Sequence, residues 1–297
     1  MNSSLINQDE TPVQALNLPE PATSKSTFMF VQVGTSEDGH RVVRYSYIPD
    51  RKKDRFLSFT DGYEGYVMTD GLIGYNSLSK HLNCWVHAQR NFKKILKVNK
   101  KASGALKFIG IINKLYEIEK KTRKQYQDRD EFLKMRKERC ATVFFQLKDT
   151  MDERRSQYTP KSPMGVAIAY LYTYWESLIR YVECYEATPD NNIAENAIRP
   201  FVVGRKNWLF TNTETGAKSS AGYYSLIETA KANGVNVSDY LWHCLSEASK
   251  CKTDEDWDRL LPWAMDVDLV SEIKQVKASV KLNPLRKTPY LFREPSK

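Results

Sequence analysis

The sequence predicts a mixed α/β fold in which a sheet forms early in the chain and a large helical segment interrupts the domain. Two stretches rich in β-branched and aromatic residues, 28–33 and 41–48, are separated by a turn-like GTSEDG. Strand patterns then disappear between Phe92 and Tyr185, where apolar residues recur at helical spacing. The order of these signals, strands first and then helices mixed with strands, is typical of a mixed sheet flanked by helices.

The first ninety residues supply the strands. Residues 28–33 and 41–48 are expected to form a hairpin, and a third short strand is predicted at 65–69, immediately before Asp70-Gly71. The apolar run LNCWVH at 82–87 follows. The sheet is therefore expected to be largely complete before the helical segment begins.

Helices dominate the rest of the chain. The break Pro160-Lys161-Ser162-Pro163 divides the helical segment, and a helical stripe of apolar residues follows at 166–182. An Asp or Asn at 190–192 can cap a short helix at 193–199, which Pro200 is expected to end. Further helices are predicted at 222–232 and, with Ser238 as the cap, from 238 to about 250. The basic tail at 267–297 is expected to be poorly ordered.

The positive charge of the protein is concentrated in the helical segment. The whole chain has a formal net charge of +9, and residues 93–161 hold 20 Lys and Arg against 9 Asp and Glu. The rest of the chain carries a net charge of −2. Basic amphipathic helices either face solvent or contact the phosphates of a nucleic acid, and composition alone does not separate these alternatives.

Composition also excludes several classes of protein. With 41% hydrophobic residues the chain can form a core, so general disorder is excluded. No apolar run approaches the roughly 18–20 residues that span a bilayer, and residues 1–10 lack a basic signal-peptide start, so a soluble, unexported protein is expected. The five cysteines include no C-x-x-C pair, which argues against a disulfide framework or a zinc site. Carboxylates are therefore the better candidates for metal ligands.

Three acidic residues stand out by their context. Asp9 lies beside a short predicted strand, Asp70 follows a strand, and Glu195 lies within the short capped helix. Carboxylates that converge from strand ends and a helix are suited to Mg(II), which prefers oxygen ligands. Two such ions can activate a nucleophilic oxygen and stabilise the leaving oxygen in phosphodiester chemistry. Spacing alone is weak evidence, because the chain has 36 acidic residues.

Five runs of sequence carry a resemblance to a known family. In order they are DETPV at 9–13, VMTDGLIGYNSL at 67–78, CWVHAQRNF at 84–92, DNNIAENAIRPFVVGRKNWLF at 190–210 and TGAKSSAGYYSLIETAKANGVNVSDYL at 215–241. Together they resemble the catalytic region of the insertion-sequence family 66 transposases, which belong to the DDE class, and the matches span about residues 9–263. The resemblance implies a ribonuclease H-like mixed sheet flanked by helices, with a large α-helical insertion before the last catalytic acid.

The resemblance also implies a domain organisation and a reaction. Residues 1–92 would form the first part of the catalytic domain, 93–187 the basic helical insertion, and 188–266 the C-terminal part. Asp9, Asp70 and Glu195 resemble the three catalytic acids of the family and would hold two Mg(II) ions, for which Mn(II) could substitute. The implied activity is metal-dependent nicking at insertion-sequence ends followed by strand transfer into target DNA.

Each acid has a structural alternative. Glu10 neighbours Asp9, but successive strand residues point to opposite faces, so only one of the two can enter the site. Asp61 fits a solvated turn, and Asp190 fits a helix cap. Glu195 could instead pair with Arg199 one helical turn away, an interaction of a few tenths of a kcal/mol.

Other residues are candidates for DNA contacts. Arg199, Arg205 and Lys206 are suited to phosphates, and Trp208 could stack on an unpaired base, although core packing is its alternative. His87 is a candidate active-site residue that contacts a metal ligand, with a purely structural role as the alternative.

The resemblance further implies partners and a location. Double-stranded DNA, both element ends and target, would be the substrate, and a homo-oligomer associated with the bacterial nucleoid in the cytoplasm is expected. Family members carry a long region before the first acid, whereas eight residues precede Asp9 here, so an isolated catalytic region is expected, with its first strand built from residues 1–8. An accessory protein or a separate N-terminal region would then supply end recognition.

Two rival functions remain open from the sequence. The first is a catalytically silent or domesticated DNA-binding remnant. The second is a stand-alone nuclease of the same fold, which cleaves DNA without joining it. Joining of a labelled 3′ end to a target plasmid separates a transposase from such a nuclease.

Overall fold

The computed structural model describes residues 3–17, 27–49, 57–71 and 78–265, together with residues 273 and 275. The chain divides into two compact units, Met1–Ser225 and Leu226–Lys297. Apart from residues 273 and 275, the tail predicted at 267–297 lies outside the described residues.

A mixed sheet forms the centre of the first unit. In the described ranges its strands are β1 (Leu5–Asn17), β2 (Thr27–Thr35), β3 (Arg41–Ile48), β4 (Tyr66–Thr69), β5 (His81–Asn83) and β6 (Phe210–Thr213). The strand order is β3-β2-β1-β4-β5, and β6 pairs with the far end of β1. The β1–β2 and β2–β3 pairs are antiparallel, whereas β4 and β6 run parallel to β1, and β5 runs parallel to β4.

The predicted hairpin is confirmed by β2 and β3. Gly39, in the connection between the two strands, has a φ of 82°, a conformation that glycine adopts without strain. Almost every residue of β2 is buried, because each of its faces packs into a different core. Val31 belongs to one of these cores and Phe30 to the other. Such burial on both faces explains why the strand reads as a continuous apolar run.

Strand β1 is longer than the sequence predicts, so the expectation that residues 1–8 build the first strand was wrong. It extends to Asn17 instead of ending near residue 8, because its second half also has buried positions and a parallel neighbour, β6. Val13 packs into the core shared with β2 and β3. Pro12 lies between the stretches of β1 that pair with β4 and with β6. Asp9 consequently lies in the middle of the strand.

The helical segment between residues 92 and 185 is confirmed. Its helices are α1 (Trp85–Val98), α2 (Ser103–Gln125), α3 (Arg129–Arg155), α4 (Pro163–Thr173) and α5 (Trp175–Ile179), followed by a 3₁₀ turn at Arg180–Glu183. The stripe predicted at 166–182 is divided into three pieces rather than one helix. The apolar run at 82–87 is divided between β5 and α1, because Cys84 has the extended backbone of a helix N-cap.

The insertion helices share one core with the edge of the sheet at β4 and β5. Phe92 of α1 stacks on Phe108 of α2 with ring centroids 4.5 Å apart. The same buried cluster includes Met68 of β4 and Leu82 of β5. The insertion therefore packs directly against the strands that carry part of the candidate site.

A buried arginine ties the insertion to the segment that leads into the next helix. Arg136 of α3 is fully buried and lies 3.4 Å from the carboxylate of Glu119 on α2. Its terminal nitrogens also donate to the backbone carbonyls of Tyr181, Val182, Cys184 and Ala187, at 2.6–3.2 Å. Arg123 donates to Glu119 and to the carbonyls of Tyr185 and Ala187. These bonds hold the irregular segment 181–187 in place.

Helix α6 (Asn192–Trp208) continues through Pro200, so the prediction that this proline ends the helix was wrong. Proline removes one helical hydrogen bond and usually kinks or ends a helix. Here Ile198 and Phe201, on either side of it, are buried in the core of the sheet. The Tyr45 hydroxyl also donates to the carbonyl of Ala197, which adds a tertiary bond at the distorted turn. Tertiary packing therefore overrides the local signal.

The remaining helices extend into the second unit. They are α7 (Glu214–Ala232), α8 (Val237–Glu247) and α9 (Asp254–Asp258), with 3₁₀ turns at Ala248–Lys250 and Pro262–Ala264. Helix α7 begins eight residues earlier than predicted, and Asn236 rather than Ser238 caps α8. Among the described residues, no helix has the length and apolar character needed to cross a bilayer.

Candidate functional site

Asp9 lies on the face of β1 that packs against α6. On this face Asn7 contacts Asn191, Thr11 accepts a hydrogen bond from Arg205 at 2.9 Å, and Val13 packs with residues of α6. Because side chains alternate along a strand, Asp9 faces α6 together with these residues. Glu10 points to the other face of the sheet, where its cross-strand partner is Phe30 of β2.

Asp70 lies beside Asp9 because of the register of the parallel strands. Leu5 pairs with Tyr66 and Asn7 with Met68, so continuing the register by two residues brings Asp70 opposite Asp9. Cross-strand partners share a face of the sheet, which directs both carboxylates to the same side. Asp9 and Asp70 are therefore separated in sequence by the same number of residues as each pair of partners in β1 and β4.

The residue that follows Asp70 is in contact with the insertion. The Tyr174 hydroxyl, between α4 and α5, donates to the carbonyl of Gly71. A β-carbon at Gly71 would lie 2.4 Å from the hydroxyl of Tyr170, so a side chain at this position would require Tyr170 to move. The insertion thus helps to position the second acid.

Glu195 lies in the first turn of α6, where the partial positive charge of a helix N-terminus favours a carboxylate. Its Oε1 is 3.8 Å from Nδ1 of His87 and 3.7 Å from Nη2 of Arg90, both on α1. In the described part of the chain it forms no ion pair with Arg199. Oε1 is buried and has no hydrogen-bond partner there. This carboxylate oxygen is directed inward rather than toward solvent.

Asp70 and Glu195 both lie close enough to Asp9 for their charges to act on its pKa. Burial is the main reason that the pKa of Asp9 is raised to about 7, and the charges of Glu10, Asp70 and Glu195 act in the same direction. The backbone N–H of Glu10 donates to Asp9 Oδ1 at 2.9 Å and partly opposes the shift. Convergent carboxylates with a raised pKa are typical of catalytic and metal-binding sites.

His87 is oriented by Arg90. Nη1 of Arg90 lies 3.0 Å from Nε2 of His87, and because arginine only donates, Nε2 must accept. Burial, together with the charge of Arg90, lowers the pKa of His87, which favours the neutral ring. Its proton is then on Nδ1, which faces Glu195. His87 therefore lies beside the third acid, with Nδ1 3.8 Å from Glu195 Oε1, and neither atom has a hydrogen-bond partner in the described residues.

Cys84 completes this side of the site. Its sulfur and ligand atoms of His87 and Glu195 all lie within 4.8 Å of one another, so the three could hold a metal ion. Burial raises the pKa of the Cys84 thiol to about 12, and its Sγ accepts a hydrogen bond from the backbone N–H of Asn191. A neutral thiol is a poor ligand for Mg(II), which makes the carboxylates the better metal ligands.

The alternative acids lie elsewhere or perform other tasks. Asp190 accepts a hydrogen bond from the backbone N–H of Asn192 at 3.1 Å, as expected for a residue at a helix start. Asp61 lines a cavity of about 620 Å³ with Gln32 and Arg44.

The predicted DNA-contact residues lie on α6, between Glu195 and the C-terminal end of the helix. Arg199 and Lys206 are exposed, whereas Arg205 is half-buried and bonded to Thr11. Trp208 is 37% exposed, with one edge against Phe201 at 5.2 Å between ring centroids. Trp208 thus combines packing with an accessible ring surface.

Sequence reasoning missed three residues of the site: Arg90, Asn191 and Tyr174. Arg90 lies in the run CWVHAQRNF, one helical turn after His87, and this spacing was an available signal. Asn191 had been considered only as a helix cap. Tyr174 gave no sequence signal, because its partner Gly71 is 103 residues away.

The sheet and its carboxylate cluster define a mixed α/β protein with a candidate metal site. The chain belongs to the IS66 transposase family. Residues 1–219 match the model described as Transposase IS66 family, and residues 225–263 match the IS66 C-terminal element.

Two curated relatives come from Sinorhizobium fredii (strain NBRC 101917 / NGR234). The uncharacterized protein y4qI is 26% identical over 280 residues, which cover 88% of this chain and 51% of the relative. The uncharacterized protein y4jD is 27% identical over 235 residues, which cover 75% of this chain and 45% of the relative. The chain thus spans about half the length of the curated relatives it matches. No solved structure matches it.

Proposed function

We propose that this chain is the catalytic region of a DDE-type transposase, which hydrolyses phosphodiester bonds at the ends of an insertion sequence and transfers the freed strand to target DNA. The observation that carries the proposal is the convergence of Asp9, Asp70 and Glu195 from β1, the end of β4 and the start of α6. Membership of the IS66 transposase family supports the same reaction class.

A ribonuclease H-like fold is part of the proposal. It is supported by the strand order β3-β2-β1-β4-β5, in which β2 is antiparallel to both β1 and β3, and β4 and β5 run parallel to β1. The first two acids lie on adjacent strands of this sheet and the third on a packed helix. The large helical segment precedes the third acid, as the family resemblance implies.

The donor set fits Mg(II), with Mn(II) as a substitute. Asp9, Asp70 and Glu195 offer hard oxygen atoms, and the buried Oε1 of Glu195 lacks a hydrogen-bond partner in the described residues. Like charges held this close also benefit from a cation between them. When bound, two such ions would supply Lewis-acid activation of the attacking and leaving oxygens.

The protein's own residues position the reaction. His87, oriented by Arg90, places its Nδ1 3.8 Å from the carboxylate of Glu195. The Tyr174 bond to Gly71 fixes the backbone directly after Asp70. Asp9 is fixed by its place in the middle of the sheet. The three acids are thus supported from three separate elements.

Basic surfaces supply contacts to double-stranded DNA. A groove of about 630 Å³ on the insertion is lined by Lys121, Lys124 and Arg139, which are suited to backbone phosphates. Arg199, Arg205, Lys206 and Trp208 provide further contacts along α6. Because the matched relatives are about twice as long, end recognition, a homo-oligomer and an accessory partner are also parts of the proposal.

The test is Mg(II)- or Mn(II)-dependent nicking of plasmid DNA by the purified protein. Asp70→Ala and Glu195→Ala should each reduce nicking by at least about a thousandfold, because several kcal/mol of transition-state stabilisation are lost. DNA binding should change little. Asp61→Ala is the matched control, since it removes a carboxylate that lies in a different cavity, and it should nick like the wild type.

Three outcomes separate the rival functions. Nicking that depends on the acids, with joining of a labelled 3′ end, supports the transposase. Nicking without joining supports a nuclease of the same fold. Salt-sensitive DNA binding without nicking supports the silent remnant, and full activity in Glu195→Ala contradicts the assignment of the third acid.

A further inference from the structure

Asn191 occupies the N-cap position of α6, yet its side chain does not cap the helix. The residue is fully buried. Its Nδ2 donates to the backbone carbonyl of Gln8 at 2.6 Å, and its Oδ1 accepts from Nδ2 of Asn7 at 3.0 Å. Both partners belong to β1, more than 180 residues away in sequence. The side chain therefore joins the start of α6 to the central strand.

The three elements joined at Asn191 each carry a residue of the site. Gln8, whose carbonyl Asn191 binds, directly precedes Asp9. The carbonyl of Asn191 accepts from the backbone N–H of Glu195 at 3.1 Å, so Asn191 begins the turn that carries the third acid. Its backbone N–H donates to Sγ of Cys84, the N-cap of the helix that carries His87. One residue thus links the first acid, the third acid and the histidine.

We propose that Asn191 is a positioning residue that sets the separation between Asp9 and Glu195, so that both carboxylates can bind the same divalent cation. This inference rests on the proposed function. The residue acts through the two acids and has no contact with the reacting atoms.

The side-chain chemistry at this position is specific. The amide of Asn191 donates to one backbone carbonyl and accepts from one amide at the same time. Aspartate would keep the acceptor but place an oxygen against the Gln8 carbonyl, where a donor is required. Alanine would leave the Gln8 carbonyl and the Asn7 amide without these bonds in a buried environment. Both substitutions should therefore allow α6 to shift relative to β1.

The experiment measures Mn(II) binding by electron paramagnetic resonance, alongside nicking, for the wild type, Asn191→Ala and Asn191→Asp. Losing a residue that orients metal ligands commonly weakens metal affinity by about 10- to 100-fold, and this range is expected for both variants. Tyr240→Phe is the control for the loss of a buried hydrogen bond away from the site, because it removes the bond from the Tyr240 hydroxyl to the Leu260 carbonyl in the second unit. The control should bind Mn(II) like the wild type.

A double-mutant cycle separates positioning from general stability. If Asn191 acts by placing Asp9, then Asn191→Ala should cause little further loss of Mn(II) affinity in an Asp9→Ala background. An equal loss in both backgrounds overturns the inference. Should Asn191→Ala fail to fold, Asn7→Ala removes one of the two side-chain bonds, and a loss of several-fold in Mn(II) affinity is then expected.

The outcomes distinguish this inference from the proposed function. Wild-type Mn(II) binding and nicking that persist unchanged in the folded Asn191 variants overturn the role of Asn191 alone. If Asn191→Ala does not fold, unchanged Mn(II) affinity in Asn7→Ala has the same consequence. A wild-type protein that neither binds Mn(II) nor nicks DNA overturns the proposed function and this inference with it.

Discussion

Two charged clusters in this molecule, one buried and one half-buried, are built in opposite ways. In the insertion, Arg136 is surrounded by acceptors: the Glu119 carboxylate and the backbone carbonyls of the segment 181–187. On one face of the sheet, Asp9, Asp70 and Glu195 converge as like charges. Oε1 of Glu195 lies 3.8 Å from Nδ1 of His87 and 3.7 Å from Nη2 of Arg90 but has no hydrogen-bond partner in the described residues. The first cluster has its charges compensated, whereas the second has an excess of negative charge.

The difference separates a structural role from a functional one. Buried polar groups with partners contribute to a unique fold, whereas buried groups without partners reduce stability and usually reflect another requirement. The arginine cluster holds the insertion to the chain that leads into α6. The carboxylate cluster instead has the features of a cation site. Substitutions in the two clusters should therefore change stability in opposite directions.

The largest expected effect on stability is at Arg136. Arg136→Met should lower the free energy of unfolding by about 3–5 kcal/mol, because Glu119 is left as a buried charge without this partner and several carbonyls lose their donor. The effect can be measured by urea unfolding. Arg129→Met is the matched control, since Arg129 pairs with Glu186 at an exposed position, and its effect should stay below about 1 kcal/mol. Equal effects of the two substitutions would contradict the role of the arginine cluster.

Substitution of Asp9 is expected to raise the free energy of unfolding, whereas substitution of Arg136 lowers it. The folded state raises the pKa of Asp9 to about 7, so it favours the protonated form. The stability from this group is present below its ordinary pKa, near 4, and is lost as the pH rises through about 7. In metal-free buffer at about pH 8, Asp9→Asn should be more stable than the wild type by about 1–2 kcal/mol, an amount reduced for residual solvent contact.

Thermal unfolding in the presence of a chelator measures this difference across the pH range. The gain from Asp9→Asn should disappear near pH 4, where the wild-type carboxyl is protonated as well. Added Mg(II) should stabilise the wild type more than the variant, because only the wild type keeps the full ligand set. A destabilised Asp9→Asn protein at pH 8 would show that Asp9 has a structural role instead.

The smallest effect is expected at Tyr174, whose hydroxyl joins the insertion to the residue after Asp70. Tyr174→Phe removes the hydroxyl that donates to the Gly71 carbonyl, which should cost about 1 kcal/mol of stability and reduce nicking less than Asp70→Ala does. Tyr172→Phe is the matched control, because its hydroxyl bonds to the exposed side chain of Asp152 on the insertion itself. Unchanged nicking in Tyr174→Phe would show that the insertion does not position Asp70.

Local signals in the sequence predicted the elements whose formation depends on their own residues. The hairpin of β2 and β3 was predicted because its β-branched strands and its turn are adjacent in sequence. The helical insertion was predicted from apolar spacing. The end of α6 at Pro200 was predicted wrongly, because Phe201 and the Tyr45 hydroxyl stabilise the continued helix from elsewhere in the chain. Strand β1 was predicted too short, because its later pairing partner, β6, lies nearly 200 residues away.

The sequence by itself determined the mixed α/β class, the basic helical segment, the three acids as candidates and the family to which the chain belongs. These properties depend on residue type, spacing and order along the chain. Only the tertiary structure decided that the register of β1 and β4 places Asp70 near Asp9, that Arg90 orients His87 toward Glu195, and that Asn191 bridges β1 and α6. Such contacts join segments that are distant in sequence, and they exist only after the chain has packed around its cores.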